Sequence, residues 1–471
     1  METLSSDIIL LIGDHIEDIN DRYNAIFLNH RFYELFSHAL FRSVTLKNRT
    51  QLQSFLKALM HRPNLAAVVR SLDLGEWQPE TSHPHPHLSP EDLAMFSLCA
   101  RTMSQSTQEY VQWENDLISG VEEAWIALLL PMVNNIRQLK LTHASQNLED
   151  RYLDRTFARA VNQEIPFDQQ PAFHRLEEVS LKALNDYEEQ STFDPSQILP
   201  FFQLPSLRSF SANSLVEYRP SSDLKLKGLP KNLIKGDSPI SDINLTSSNG
   251  GKGLETLLPL CSALKSFKHQ HSDDYRGTDG FNPTAFHQTL SQSKSTLETL
   301  WLDNLGVHFA FTDSGLNESC DGWFGSLADF AVLTDLRIRL PNLLDIQSQL
   351  DPSIPLTDIL PSSLETLYIE GCRENSLDML IRQVRLVLEV RKTKFPALRR
   401  VDIEGRFHDD DDDLDASGVA DMEGISGKII RSRVYEMMQP VVEGCGSVGV
   451  EMFLRDRECL QTMREIPAGQ V

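Results

Sequence analysis

The chain has 471 residues, of which 41% are apolar and 24% are charged, and its formal net charge is −23 at pH 7. This length exceeds a usual single compact domain, and the apolar fraction is large enough to exclude wholesale disorder. The acidic balance excludes nucleic acid and anionic membranes as the main partners, because both attract basic surfaces.

The cysteines and the N-terminus predict the compartment. Six cysteines stand far apart with no C-x-x-C spacing, which is typical of reduced, buried thiols and not of a disulfide framework or a zinc site. The first residues form no cleavable signal, and no apolar run approaches the roughly 20 residues that span a bilayer. We therefore expect an intracellular protein, cytoplasmic or nuclear, with no membrane partner.

Residues 4–46 predict three short helices ahead of the rest of the chain. Ser6 or Asp7 is suited to cap the first helix, because both side chains accept a hydrogen bond from a backbone N–H. Three helices this short bury too little apolar surface to be stable alone, so their apolar face must meet another protein or the rest of the chain. The apolar positions are Ile8, Ile9, Leu11, Ile12 and Ile16 in the first helix, Tyr23, Ile26 and Phe27 in the second, and Phe32, Tyr33, Leu35, Phe36 and Leu40 in the third.

This stretch resembles the F-box, the segment with which substrate receptors of SCF-type ubiquitin ligases hold a Skp-type adaptor. The family pattern begins Leu-Pro-x-Glu before an apolar helix; here Leu4 and Asp7 take the outer positions, and Ser5 stands where proline is usual. The continuation to residue 77 is similar to a class of fungal F-box proteins. The resemblance implies a receptor that binds the adaptor and, through it, a cullin. The residues implied to contact the adaptor are Leu4, Asp7, Ile8, Leu11, Ile12, Ile16 and Phe27.

A short motif, Leu-x-x-Leu-x-Leu with conservative swaps, recurs along most of the chain. Its last two apolar residues face one side of a strand, and the residue between them faces the other side. Successive copies are roughly 24 to 40 residues apart after a first gap of about 67, and helix-like segments lie between them. The copies are Val69–Leu74, Ile136–Leu141, Leu176–Leu181, Leu207–Ala212, Leu264–His269, Leu297–Leu302, Leu333–Ile338, Leu364–Ile369 and Leu398–Ile403, with Ile240–Leu245 as a degenerate copy.

The alternation of strands and helices predicts an α/β fold whose strands stack into one parallel sheet. Phrases such as PSLRSF and SSLETLYI resemble leucine-rich-repeat proteins, and the resemblance implies an irregular solenoid with the sheet on its concave face and the helices outside. A conventional α/β sheet domain is the alternative. The predicted domains are an F-box-like helical module (1–46), a connecting helix and first repeat strand (47–77), a Pro/His-rich linker or loop (78–92), the repeat array (93–433) with an acidic loop (408–424), and a C-terminal cap (434–471).

Two polar segments resemble metal sites in outline only. His83, His85 and His87 alternate with prolines that preform no site, so a solvated linker is expected. The acidic run that starts at Asp409 leads into a copy of the start of an EF-hand loop, but Gly424 stands where a bidentate glutamate should close it. We expect no metal and no cofactor.

The central residues of the motif copies are expected to line the concave face. They are enriched in basic and aromatic side chains, which dominate binding hot spots and suit an acidic or phosphorylated segment of a target protein. The alternative is that they solvate the sheet or pair with carboxylates in the loops. The residues predicted to bind the target are Lys268, Trp301, Arg337, Tyr368, Arg399, Arg400 and Asp402.

The sequence contains no Walker-type phosphate loop and no G-x-S-x-G nucleophile elbow, which together with the repeats predicts a protein without enzyme activity. The favoured function is the substrate-recognition subunit of an SCF-type (cullin-RING) ubiquitin ligase. The alternative is a non-ligase leucine-rich-repeat interaction scaffold whose N-terminal helices are only a cap. A regulator of a small GTPase is a weaker third hypothesis, because the sequence has no regular Arg/Asn edge pattern.

Overall fold

The computed structural model describes residues 4–16, 19–75, 89–143, 152–183, 192–217, 235–249, 252–272, 282–305, 322–346, 351–408, 429–457 and 459. They fall into two compact units: unit 1 comprises Met1–Ser214 with Asp223–Ile240, and unit 2 comprises Leu215–Ser222 with Ser241–Val471. Both units consist of parallel strands with helices between them, so the predicted α/β repeat fold is confirmed.

Parts of the predicted linker, acidic loop and C-terminal cap cannot be placed on this fold. Residues 78–88 of the linker, residues 409–424 of the acidic loop and residues 460–471 of the cap lie outside the described residues. Residues 90–92, which were predicted to belong to the linker, instead begin a helix.

Three short helices begin unit 1 and enclose a small core of their own. Gly13 in the first helix lies against the ring of Phe36 in the third, and a side chain at Gly13 would overlap that ring. This close approach allows a core to form from few residues. The helices are α1 (Ser6–Asp14), α2 (Ile19–Ala25) and α3 (His30–Arg42). The buried core residues are Ile9, Ala25, Phe32 and Phe36.

The start of α1 differs from the predicted one. Its cap is Ser5, whose hydroxyl oxygen accepts a hydrogen bond from the backbone N–H of Ile8 at 3.4 Å. The prediction of a cap at Ser6 or Asp7 is wrong, because both residues already belong to the first turn of the helix.

Five parallel strands, adjacent in chain order, complete unit 1. The register aligns the motif copies: Leu139 stands opposite Leu72 on one side and Val179 on the other. No motif copy predicts the first strand, which follows α3 directly and pairs with the second. The strands are β1 (Ser43–Thr45), β2 (Ser71–Leu74), β3 (Gln138–His143), β4 (Glu178–Ala183) and β5 (Ser209–Asn213). The remaining helices are α4 (Arg49–His61), α5 (Pro63–Ala66), α6 (Pro90–Met103), α7 (Thr107–Ser119), α8 (Glu122–Met132), α9 (Tyr152–Asn162) and α10 (Pro195–Ile198), with a 3-10 turn at Leu199–Gln203.

Unit 2 repeats the same arrangement with seven strands. The ring of Phe267, a motif residue, lies 6.2 Å from the ring of Phe286 in a helix, so the apolar side of the strands packs against the helices. The strands are β6 (Asp242–Ser248), β7 (Ser266–Ser272), β8 (Thr299–Leu305), β9 (Asp335–Arg339), β10 (Thr366–Arg373), β11 (Arg400–Arg406) and β12 (Glu451–Arg455). The helices are α11 (Lys252–Leu257), α12 (Pro283–Leu290), α13 (Leu340–Leu343), α14 (Leu356–Ile359), α15 (Glu374–Glu389), α16 (Arg391–Lys394) and α17 (Ser432–Val448), with 3-10 turns at Leu258–Leu260 and Ser291–Ser293.

One hydrogen-bond pattern fixes the register of successive strands in both units. The carbonyl oxygen at the start of one repeat accepts the backbone N–H groups of two consecutive residues in the next. In unit 1, the Arg137 oxygen accepts from Glu177 and Glu178 at 2.8 and 3.0 Å. In unit 2, the same pair of bonds joins Lys265 to the next repeat at 2.7 and 3.0 Å.

None of the helices within the described residues is both long enough and apolar enough to cross a lipid bilayer.

His269 replaces the last leucine of the motif copy in β7. Its buried imidazole packs against Phe267 and Phe286, with ring centroids 6.2 and 5.6 Å away. Burial, and then the neighbouring His271, lower the pKa of His269 to about 3. An unfolded histidine has a pKa of about 6.5. Between the two values the unfolded chain binds a proton that the folded chain does not, so the stability of unit 2 falls as the pH falls.

We expect acidification from about pH 6.5 to about pH 4.5 to lower the free energy of unfolding of the wild type by about 2–3 kcal/mol more than that of His269→Leu. The leucine restores the motif and does not titrate. Urea denaturation at both pH values measures the difference. His30→Gln, at an exposed histidine, should behave as the wild type. If acidification lowered the free energy of unfolding equally in the wild type and in His269→Leu, the imidazole of His269 would take up a proton in the folded protein as readily as in the unfolded chain.

Candidate functional site: two interaction surfaces

Six large apolar side chains near the N-terminus face outward and form what we call the N-terminal apolar surface. Ile8, Leu11 and Ile12 stand three and four residues apart and therefore share one face of α1. The rings of Tyr23 and Phe27 contact each other edge to face, with centroids 5.1 Å apart. Exposed apolar side chains such as those in each of these two groups mark candidate interaction sites. The surface consists of Ile8, Leu11, Ile12, Tyr23, Phe27 and Leu28, which are 46% to 68% exposed.

The structure places the residues predicted to contact the adaptor in two environments. Leu4 is half-buried and packs against the core of the three helices, and Ile16 is also half-buried. The side chain of Asp7 lies outside the described part of the chain. Tyr23, which was predicted as an apolar position of the second helix, and Leu28 also belong to the exposed surface, although neither was among the residues implied to contact the adaptor. Their positions one turn before and one residue after Phe27 could have indicated them. The predicted residues that belong to the exposed surface are Ile8, Leu11, Ile12 and Phe27.

A pocket of about 560 Å³ lies between the last two N-terminal helices and the first repeat. Arg62 lies on its polar side, where the guanidinium donates a hydrogen bond to the Tyr33 hydroxyl and lies 5.6 Å from the centre of that ring. The volume and the apolar lining suit a side chain of a partner or a small apolar ligand. The lining includes Tyr23, Ile26, Tyr33, Leu40, Phe55 and Leu65.

The second surface is the side of the unit 2 strands opposite the helices, which we call the polar strand face. The strand register places five of the residues predicted to bind the target in one row across it, each opposite the next. This row is Lys268, Trp301, Arg337, Tyr368 and Asp402. A second row, two residues further along the strands, consists of Gln270, Asp303, Arg339, Glu370, Glu404 and Arg455.

Arg337 lies at the centre of an acidic cluster on this face. Its guanidinium contacts Asp303 and Glu370 at 3.1 Å each and Glu404 at 3.8 Å, and it lies 4.3 Å from the centre of the Tyr368 ring. Glu370 is fully buried, and this burial, followed by the charge of Asp303, raises the pKa of Glu370. Burial opposes the charge of Arg337, but the carboxylates outweigh it and raise the pKa of the guanidinium. The charge of Arg337 is therefore compensated inside the protein.

Arg457, which follows the last strand, brings a second guanidinium to the same cluster. It contacts Asp303 at 2.5 Å and Glu370 at 2.9 Å, and it also pairs with Glu404. The Tyr368 hydroxyl donates a hydrogen bond to Glu404 as well. Arg337 and Arg457 thus both contact Asp303, Glu370 and Glu404.

Asp402 is buried between two further arginines. Arg400 and Arg455 each donate a hydrogen bond from Nε to one carboxylate oxygen of Asp402, at 2.7 Å in both cases. Arg399 is instead 71% exposed and pairs with Glu365 at 2.9 Å. Because Arg400, like Arg337, is already compensated within the protein, the face offers little to the acidic or phosphorylated ligand that the sequence suggested.

Lys268 and Trp301 form the other end of the row. The Lys268 ammonium lies 3.7 Å from the centre of the Trp301 ring, and the indole N–H donates a hydrogen bond to Asp335 at 3.0 Å. Burial raises the pKa of Asp335. These contacts fix the orientation of a partly exposed tryptophan, the residue type most enriched in binding hot spots.

The second row of the polar strand face was missed at the sequence level. Each of its residues lies two positions after a residue on the same strand whose side chain points to the same side. The alternation of side chains along a strand could therefore have predicted this row. Arg457 lies beyond the last strand. No local pattern indicates its contact with Asp303, because the two residues are 154 positions apart in the sequence.

His408, Asp456 and Cys459 are the group of described residues whose geometry could hold a metal ion, since their possible ligand atoms lie within 4.8 Å of one another. The Asp456 carboxylate already accepts a hydrogen bond from the Phe407 N–H at 2.7 Å and lies 2.8 Å from His408 Nδ1. These bonds hold the segment after β12 against the end of β11, and they account for the arrangement without a metal.

A family model described as a leucine-rich repeat domain matches residues 43–425 of the chain. The matched span begins at the first residue of β1 and includes the strands through β11. No curated protein matches the chain.

We expect Arg337→Met to lower the free energy of unfolding of unit 2 by about 3–5 kcal/mol, because it leaves the buried Glu370 with one guanidinium fewer. Arg399→Met is the matched control and should cost less than about 1 kcal/mol, since its ion pair is exposed. Urea denaturation at neutral pH measures both. Adding Glu370→Gln to Arg337→Met should recover part of the loss. Equal small effects at the two arginines would contradict a buried, coupled cluster.

Proposed function

The chain belongs to the leucine-rich repeat family, and from that premise we propose that it is a non-catalytic substrate receptor of an SCF-type ubiquitin ligase. In this proposal the N-terminal helices bind a Skp-type adaptor and, through it, a cullin. The repeats bind a target protein, and the receptor works inside the cell, in the cytoplasm or the nucleus. Leucine-rich repeat domains typically bind protein partners, which is the part of the proposal that the family supports directly.

The observation that carries the adaptor role is the N-terminal apolar surface. Among the side chains that the structure describes, the three helices bury a core of four residues and leave six large apolar residues exposed. Fully burying one large apolar side chain contributes about 1.5–3 kcal/mol of favourable free energy. A partner that covers these exposed side chains therefore gains binding affinity from their burial. Ile8, Leu11 and Ile12 have the spacing with which an amphipathic helix enters a partner's groove.

The resemblance of this segment to the F-box supports the same partner. The residues that the resemblance implies as adaptor contacts and those that the fold leaves exposed coincide at Ile8, Leu11, Ile12 and Phe27. Leu4 and Ile16 are the exceptions among the described apolar positions, because both are half-buried and Leu4 packs against the helices' own core. Covering the exposed residues costs the fold of the helices nothing.

The polar strand face of unit 2 is the proposed target surface. It has an orderly row of aromatic and charged side chains, and the side chains are held by ion pairs and ring contacts, so little conformational entropy is lost on binding. Trp301 and Tyr368 are its aromatic anchors. By holding the target close to the catalytic subunits of the ligase, the receptor would raise the rate of ubiquitin transfer through proximity.

The alternative is a leucine-rich-repeat scaffold whose N-terminal helices are only a cap. One observation favours it: α3 ends at Arg42 and β1 begins at Ser43, so the helices run directly into the first strand. Arg70 also donates its backbone N–H to the Arg42 oxygen at 2.8 Å. A cap explains this continuity, but it does not explain why the outer face of the helices is apolar.

We expect Leu11→Asp and Ile12→Asp each to weaken binding of a Skp-type adaptor at least about 100-fold, because a charge would enter an apolar interface. The thermal unfolding temperature should stay within a few degrees of the wild type, since both side chains are exposed. Co-purification and calorimetry with the adaptor measure the effect.

Ile118→Asp is the matched control, because Ile118 is an equally exposed apolar residue on α7, outside the N-terminal helices. Its adaptor affinity should equal that of the wild type. Unchanged binding by Leu11→Asp and Ile12→Asp, or an adaptor that does not bind the folded wild type, would favour the scaffold with a helical cap.

A further inference from the structure

We propose that the pocket between the last two N-terminal helices and the first repeat binds a small organic acid with an apolar chain, whose carboxylate pairs with Arg62. The pocket lies within unit 1. The inference goes beyond the proposed function and stands whether or not the N-terminal helices bind an adaptor.

The pocket has room for a small molecule. Its volume of about 560 Å³ lies within the range of about 300–1,000 Å³ that is usual for small-molecule sites. Residues of α2, α3, β1, α4 and α5 line it. Because these elements belong to one compact unit, the fold itself forms the cavity, and a ligand need not open it.

The lining of the pocket is mainly apolar. The rings of Phe41 and Phe55 both line it and stack on each other, with centroids 6.0 Å apart. Leu40, Val44 and Leu65 add aliphatic surface. An alkyl chain that moves from water into this lining gains free energy from each methylene that is buried.

The charge at the pocket is positive. Among the described residues that line it, Arg62 and His61 are basic and none is acidic, although the formal net charge of the chain is −23. Within the described part of the chain, no carboxylate lies within ion-pairing distance of the Arg62 guanidinium. In this respect Arg62 differs from Arg337, whose guanidinium contacts Asp303 and Glu370 at 3.1 Å each.

The local structure holds Arg62 at the pocket. Its backbone N–H donates to the Ala58 oxygen and its carbonyl oxygen accepts from the Leu65 N–H, both at 3.0 Å, where α4 ends and α5 begins. The guanidinium donates a hydrogen bond to the Tyr33 hydroxyl. A guanidinium has five N–H donors, so donors remain for a carboxylate beside this bond.

These features select a ligand with one negative charge. A carboxylate matches the planar guanidinium with two parallel hydrogen bonds. Arg62 is exposed, so a carboxylate paired with it stays partly hydrated while the chain is buried, which keeps the cost of desolvation low. A phosphate monoester carries nearly two charges at neutral pH, of which one guanidinium compensates one. A cationic group at the same place would be repelled.

The test titrates decanoate into the full-length protein at neutral pH and measures the heat of binding. Decyltrimethylammonium, which has an alkyl chain of similar length and the opposite charge, is the matched probe. We expect decanoate to bind, and decyltrimethylammonium to bind at least about tenfold more weakly, because repulsion by Arg62 replaces the ion pair.

Three variants locate the binding. R62M should weaken decanoate binding at least about tenfold, because it keeps an apolar stem and removes the charge. A58F keeps Arg62 and places a ring in the pocket, so it should weaken decanoate binding by at least about the same factor. R101M removes an exposed arginine of α6 outside the lining, and it should bind decanoate as the wild type does.

A wild type that does not bind decanoate at about 1 mM would overturn the proposal and leave the pocket to a side chain of a partner. Equal affinities of R62M and the wild type would overturn the pairing of the carboxylate with Arg62. Equal affinities of A58F and the wild type would overturn the pocket as the site. Because Arg62 is exposed, R62M should unfold at the same temperature as R101M, which keeps the comparison valid if A58F is unstable.

Discussion

The structure depends on one repeated interaction, the pair of backbone hydrogen bonds that joins the start of one repeat to the next at most of the described repeats within each unit. The carbonyl oxygens of Arg137 and Lys265 illustrate it, each accepting two consecutive N–H groups from the following repeat. The pair fixes the register, and the register brings the leucines of successive motif copies opposite one another. No single repeat can bury its own apolar side, so each is stable only against its neighbours. Irregular intervals between copies are tolerated because they affect only the segments between strands.

The same register arranges the other side of the strands. Because side chains alternate along a strand, fixing the leucines inward also fixes the central residues in a row outward. In unit 2 this places carboxylates and arginines from different repeats beside each other, and they compensate one another. The result is an ordered face on which Arg337 and Arg457 both contact Asp303, Glu370 and Glu404. The N-terminal apolar surface differs in kind, since its side chains are 46% to 68% exposed.

The sequence predicted the features that local pattern determines. The motif located the strands from β2 to β11, because a leucine period of two and buried strands go together, and it predicted helices between the strands. β1 was missed because Val44 lies outside any motif copy. This strand forms by pairing with β2, where Val44 lies opposite Leu72. The contacts of the acidic cluster could not be predicted, since residues 154 positions apart meet only after the repeats have stacked. The cap of α1 at Ser5 could not be distinguished from Ser6 or Asp7 by sequence, because all three neighbouring side chains can accept the capping hydrogen bond.

The most direct test of the account is hydrogen–deuterium exchange of the full chain with and without a Skp-type adaptor. If the N-terminal helices bind the adaptor, exchange within residues 4–42 should be slower when the adaptor is present, with unchanged exchange in the strands from β2 to β12. Unchanged exchange in residues 4–42, measured while the strands remain protected and the repeats are therefore folded, would contradict the adaptor role and identify the helices as a cap.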